Sequence, residues 1–258
     1  MSSPGNATTK YFDLLRELIK RDFNARFTGS ALGLAWAVLQ PLSLVLLYWF
    51  VFTFMIQRAG AAMGDGYIYF LISGLIPWIG FNEGLIRSTT AIVENAPIVR
   101  RLPFRSELLV VVPNASALIF ECIGLTIMLV VIVVKGMPLR YLWLLPFALG
   151  LQLMMQLGIG FVLAAMYVFV RDLSQIVGFA LSFVFYLSPI LYPVSGRFEK
   201  YFFWNPLTAL FGLFRSAILA SPLPDAASIV FLLVVASAVF TAGLLFFRRT
   251  QATLVDLI

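Results

Sequence analysis

Apolar positions along this chain follow two regimes. Between residues 10 and 27 they recur every three or four places, at Tyr11, Phe12, Leu15, Leu18, Ile19, Phe23 and Phe27, while Lys10, Asp13, Glu17, Lys20 and Asn24 take the other side. That spacing predicts an amphipathic helix lying flat on a membrane surface, with Thr8 or Thr9 as its cap. After the small-residue break Thr28-Gly29-Ser30 the periodicity gives way to long unbroken apolar runs.

About 20 apolar residues cross a hydrocarbon core of about 30 Å. By that ruler the sequence predicts six spans, at 34–56, 67–93, 108–134, 142–170, 176–191 and 227–247. Pro41 should bend the first, and Gly74, Pro77, Gly80 and Gly84 should kink the second, which also carries Glu83 and Arg87 four residues apart on one face. The third holds Pro113, Asn114 and Glu121, and the fourth has Gly150, Gly158 and Gly160, small residues that let helices approach closely. Residues 94–107 form the largest polar interruption and cannot lie in lipid. Beyond the fifth span, Pro189, Pro193, Pro206, Pro222 and Pro224 divide the apolar sequence into pieces too short to cross, 197–204 and 207–219. Asn205-Pro206 reads as the cap and first turn of the second piece. Two short apolar helices between spans predict a re-entrant pair buried against protein.

Composition places the whole chain in the membrane. Of 258 residues, 61% are hydrophobic and 12% charged, and mean hydropathy is +0.97, where soluble domains average about 45–50% apolar and about 25% charged. The chain therefore reads as one all-α polytopic membrane domain, 1–258. Histidine is absent and Cys122 is the single cysteine, which excludes an intrachain disulfide, a zinc site and histidine acid–base chemistry. The first nine residues lack the apolar core and small-residue cleavage site of a signal peptide, so no processing is expected. The net charge of +6 follows the positive-inside bias rather than a nucleic-acid partner. With both termini in the cytoplasm, 12 of the 18 Lys and Arg residues fall inside and the re-entrant pair falls outside.

Several motifs in order then resemble one family. Arg21-Asp22-Phe23 with Arg26-Phe27, Ser30, Leu32-Gly33, Trp36 and Leu39-Gln40-Pro41-Leu42 are similar to the N-terminal signature of permease subunits of ABC exporters of bacterial surface polysaccharides. Gly74-Leu75-Ile76-Pro77-Trp78, Arg171-Asp172, Leu187-Ser188-Pro189 with Tyr192-Pro193, Asn205-Pro206-Leu207 with Arg215, and Arg248-Arg249-Thr250 resemble it at the expected places. Within that ABC-2 superfamily the resemblance is closest to O-antigen lipopolysaccharide exporters, with capsule and teichoic-acid exporters sharing much of it. It implies a type V exporter fold: an interface helix, six spans and an external re-entrant pair between spans five and six. It also implies a homodimer in the bacterial inner membrane, paired with two copies of a separate ABC ATPase and moving an undecaprenyl-pyrophosphate-linked glycan to the periplasm. The residues agree on one point independently, because no lysine here is preceded by glycine, so the chain holds no phosphate-binding loop of the form G-x-x-x-x-G-K-[ST]. ATP and magnesium would belong to the partner; no cofactor and no metal are expected in this chain.

The resemblance also suggests roles for particular residues. Tyr48, Trp49, Phe52, Tyr67, Phe70, Trp78, Phe81, Phe185, Tyr186 and Tyr192 would line a channel, since aromatic faces suit the C–H faces of sugars. Phe202, Phe203, Trp204, Asn205, Pro206 and Arg215 would form a periplasmic gate. Glu94, Asn95, Arg100, Arg101 and Arg105 would couple to the ATPase, and Lys20, Arg21 and Arg26 would meet the lipid pyrophosphate, arginine forks suiting phosphate oxygens. No catalytic residue is expected. An integral membrane enzyme of lipid or glycan synthesis is the competing class, but such enzymes cluster acidic or histidine residues at one membrane face, and here the acids are scattered. A secondary transporter would need more intramembrane ionisable groups, Glu121 being the chief candidate.

Overall fold

The computed structural model describes residues 4–27, 33–51, 66–97, 106–194 and 199–257, which are helical almost throughout and contain no strand. Nine α-helices follow in order: α1 (Pro4–Phe27), α2 (Trp36–Phe50), α3 (Tyr67–Glu94), α4 (Glu107–Val134), α5 (Leu145–Phe169), α6 (Leu173–Leu187), α7 (Glu199–Phe202), α8 (Pro206–Leu219) and α9 (Ala226–Leu257). Among the described residues, four stretches can cross a bilayer by length and composition: Tyr67–Glu94, Glu107–Val134, Leu142–Phe169 and Ala226–Gln251. Helix α2 continues through one further helical residue to the edge of the described segment at Val51, and the rest of the expected first span lies outside the described residues. Helix α6 stops after 15 residues, because Pro189 forces the residue before it, Ser188, into extended backbone.

Helix α3 is the hub. Two thirds (67%) of its most apolar window is buried, against 28% in α4 and 17% in α9, and α2, α4, α5, α6 and α8 all pack on it. It runs as one helix from Tyr67 to Glu94 through Gly74, Pro77, Gly80 and Gly84, and its glycines also make room for neighbours. A Cβ at Gly84 would stand 2.6 Å from Asn114 Oδ1 and 2.7 Å from Gln156 Nε2, one at Gly74 would stand 2.9 Å from an Arg215 nitrogen, and one at Gly80 would collide with the Glu121 carboxylate. These glycines are notches that receive polar side chains of neighbouring helices.

The crossing of α5 and α9 works by backbone contact. A Cβ at Gly158 would lie 2.5 Å from the Val239 carbonyl oxygen, and Gly243 sits directly on the Gly158 carbonyl. Small residues bring the two helices together as expected at Gly158, whereas Gly150 has nothing within 4 Å.

Two helix ends differ from expectation and one agrees with it. Helix α1 begins at Pro4, whose fixed φ suits a first turn, so Thr8 and Thr9 lie inside the helix instead of capping it. Helix α9 runs on through Arg248-Arg249 to Leu257, since the end of an apolar run does not end a helix unless glycine or proline follows. The 207–219 piece forms α8 with the expected cap: the Asn205 side chain accepts from Leu207 N at 3.0 Å, with Pro206 in the first turn. Ten of its fourteen residues are buried, as a short apolar helix among spans requires.

Gly158→Ala should lower the detergent melting temperature of the purified protein by an amount equivalent to about 1–3 kcal/mol, because its methyl meets rigid backbone. Gly150→Ala should leave it unchanged, and equal effects at the two positions would contradict the close crossing.

Candidate functional site

A cavity of about 750 Å³ opens between α2, α3 and α6. Its walls include Leu44 and Tyr48 from α2, Leu75, Trp78, Ile79 and Asn82 from α3, and Leu181, Ser182, Phe185 and Tyr186 from α6. Phe185 is the centre of the aromatic wall, with ring centroids 5.6 Å from Tyr48, 5.5 Å from Trp78 and 5.1 Å from Tyr186. Trp78 in turn lies 5.9 Å from Phe81. Such tilted and edge-on contacts hold the rings in fixed orientations.

Four of the ten expected channel aromatics, Tyr48, Trp78, Phe185 and Tyr186, therefore share this one cleft. Others point elsewhere in the protomer. Tyr67 is buried, its hydroxyl donating to the Leu191 carbonyl at 2.9 Å, and Phe70 and Phe81 are buried core residues. Trp49 is half-buried against the core. The Tyr192 hydroxyl donates to the Tyr186 carbonyl at 2.6 Å, and its ring meets Phe202 at 6.1 Å. Phe52 lies outside the described residues.

One end of the cleft is charged. Arg87 of α3 donates to Asp22 of α1, and its other terminal nitrogen lies 3.7 Å from Glu83. The four-residue spacing signals the Glu83 contact; the closer partner, Asp22, comes from an element 65 residues away, and spacing along one helix could not have found it. Beside this pair, Arg21 donates to Asn95 at 3.5 Å, and Lys20 is exposed. The Arg26 side chain and Arg100, Arg101 and Arg105 lie outside the described residues. Asn95 caps the end of α3 by donating to the Ala91 carbonyl at 2.9 Å, and Glu94 is exposed.

The expected gate residues occupy the junction between α6, α8 and α9. Asn205 donates to the Leu187 carbonyl and to the Ser188 hydroxyl, both at 3.2 Å, tying the start of α8 to the end of α6. Phe203 and Trp204 rest on Phe231 of α9 at 5.7 and 5.8 Å. Arg215 is buried: it donates to the Ile190 carbonyl at 3.1 Å and stacks 3.7 Å above the Phe70 ring. No carboxylate among the described residues lies within ion-pair distance of Arg215, so a carbonyl and an aromatic face meet its charge.

A second polar assembly, which the sequence signals only through Asn114 and Glu121, crosses the interior. Gln152 donates to Glu121 and Gln156 to the Gly80 carbonyl at 2.8 Å, while Asn114 donates to Ser88 at 2.6 Å and to the Val110 carbonyl at 2.7 Å. All five side chains are buried. The available signal was a register match: Gln152 and Gln156 repeat at the same four-residue interval as Gly80 and Gly84. Among the described residues no three His, Cys, Asp or Glu side chains group as metal ligands.

Residues 13–219 match the ABC-2 type transporter family. The chain belongs to that family. It is 30% identical over 226 residues, 84% of each chain, to a protein named O-antigen export system permease protein RfbA from Myxococcus xanthus. It is 28% identical over 208 residues, 77% of each chain, to an RfbA from Klebsiella pneumoniae. A polysialic acid transport protein, KpsM of Escherichia coli, is 23% identical over 246 residues, covering 91% of this chain and 92% of its own. The motifs read from the sequence and these relatives agree on an ABC-2 type transporter, a membrane protein with several apolar helices.

Gln152→Leu should destabilise the protein by about 1–3 kcal/mol, because Glu121 loses its hydrogen-bond donor in the interior. Adding Glu121→Leu should recover most of that loss in a thermal-melt double-mutant cycle, since removing both partners leaves no orphaned polar group.

Proposed function

We infer that the chain is the channel-forming half of an ATP-driven exporter that carries an undecaprenyl-pyrophosphate-linked O-antigen glycan from cytoplasm to periplasm. The aromatic cleft with its charged end carries this reading. A lipid-linked glycan has three chemistries: an apolar chain, an anionic diphosphate and a train of sugars with hydroxyl edges and flat C–H faces. The cleft offers matching surfaces, with tyrosine hydroxyls and ring faces along its wall and a guanidinium at one end. Rings supply many weak contacts and no deep binding point, which a moving polymer requires.

The cleft also explains the homodimer. Its flanking helices α2 and α6 leave Leu46, Leu47 and Phe50, and Phe179, Phe183 and Tyr186, exposed, so a second copy laid on this face closes the cleft into a passage. In this arrangement both termini are cytoplasmic in the inner membrane, the segment at 94–107 engages the first of two ATPase subunits, and the junction built on Asn205 and Arg215 closes the periplasmic end. Nucleotide and magnesium belong to the ATPase, and the permease performs no chemistry. The stronger identity to RfbA over KpsM favours O-antigen above capsular polysaccharide.

Tyr48→Ala with Tyr186→Ala should reduce surface O-antigen about tenfold, the equivalent of two aromatic contacts of about 0.5–1.5 kcal/mol each, while the permease still co-purifies with its ATPase. Undiminished export by an assembled double variant would rule out the cleft as the path.

A further inference from the structure

The charged lining of the cleft is Asp22, Glu83 and Arg87, two carboxylates and one guanidinium. An anion reaching that end meets net negative charge while Asp22 is in place and a balanced pair once Asp22 has moved. Among the described residues, Asp22 and Arg87 belong to helices that meet at few other points. Helix α1 lies on α4, where Phe23 stacks on Phe120 at 4.7 Å, and reaches α3 through Asp22 to Arg87 and Arg21 to Asn95.

The pair sits where a solute can reach it. The side chains of Arg87 and Asp22 are 31% and 22% accessible, and ion pairs so placed contribute little to folding. The second terminal nitrogen of Arg87 is buried 3.7 Å from Glu83 and makes no hydrogen bond there, so the guanidinium is not saturated by its two carboxylates. A phosphate group offers arginine the same paired oxygens as a carboxylate, with more charge.

We propose that Asp22 is an internal stand-in for a phosphate: it holds Arg87 until a diphosphate-bearing lipid displaces it, and the exchange releases α1 from α3. This rests on the lipid-diphosphate reading above and adds to it a competitor built into the chain. Ligand occupancy is thereby converted into detachment of the surface helix. A diphosphate succeeds where a singly charged headgroup fails because it brings more charge than the carboxylate it displaces and, once Asp22 has left, offers oxygens to both terminal nitrogens of the guanidinium.

The test uses the permease assembled with its ATPase in nanodiscs, titrated with a short isoprenyl diphosphate, the corresponding isoprenol and inorganic pyrophosphate. Asp22→Asn should bind the isoprenyl diphosphate about tenfold more tightly, since the binding-competent fraction rises. Arg87→Gln should reduce diphosphate binding to the level of the isoprenol, and the double variant should match Arg87→Gln. Asp22→Glu, which keeps the competing charge, should behave as the parent. In a Cys122→Ser background, a cross-link between Arg21→Cys and Asn95→Cys should form less as isoprenyl diphosphate is added and be unaffected by isoprenol. Equal or weaker diphosphate binding by Asp22→Asn overturns the exchange and leaves the lipid-diphosphate reading standing. If the parent binds diphosphate and isoprenol alike, both are overturned; if inorganic pyrophosphate alone competes fully, the lipid has no part in recognition.

Discussion

In a bilayer no water reaches the interior to satisfy a polar group, so each one must find its partner on a neighbouring helix. The assembly of this chain is governed by how α3 meets that demand. It has given up side chains at Gly74, Gly80 and Gly84, and the vacated volume receives Arg215, Glu121, Asn114 and Gln156. The Gln156 amide then bonds the backbone at Gly80, and Asn114 bonds Ser88. Polar side chains are costly in hydrocarbon wherever a partner is missing, so α4, α5 and α8 have one register against α3 in which all of them are accommodated. Packing of lipid-like surfaces alone would not select it, because lipid is as apolar as the helices.

Much of this was legible in the chain. Apolar run length located the crossing helices, and the Asn205-Pro206 signal placed α8 to within a residue because cap chemistry is local. Gly74, Gly80 and Gly84 were legible only as backbone-softening positions; the notches they provide are visible once Arg215, Glu121, Asn114 and Gln156 are known to face them. Helix ends set by continued propensity rather than by apolar content, as in α9 beyond Arg248, were also beyond an argument based on hydropathy. Among the aromatics, composition could not separate cleft from core: Tyr48 and Tyr67 sit in similar apolar surroundings in sequence, and only the packing of α6 beside α2 puts one on the cleft while Arg215 and Leu191 enclose the other.

The two uses of arginine show how environment sets role. Arg215 lies in the interior with a carbonyl and the Phe70 ring for company, so it fastens the turn after α6 to α8 and is committed to that task. Arg87 lies at a cavity wall, paired with a partly exposed carboxylate. The same guanidinium is structural in one place and available in the other, and burial decides which.

The Gly158–Gly243 contact has a mechanical consequence. With backbone against backbone and no side chains between, α5 and α9 cannot roll or slide past one another without steric collision. Hydrogen bonds from the Gln152 and Gln156 amides join α5 to α3, so these helices with α4 and α8 form a stiff chassis. Whatever widens or narrows the molecule must then be carried by α2 and α6, the two outriggers whose outer faces remain uncovered, and by the surface helix beside them.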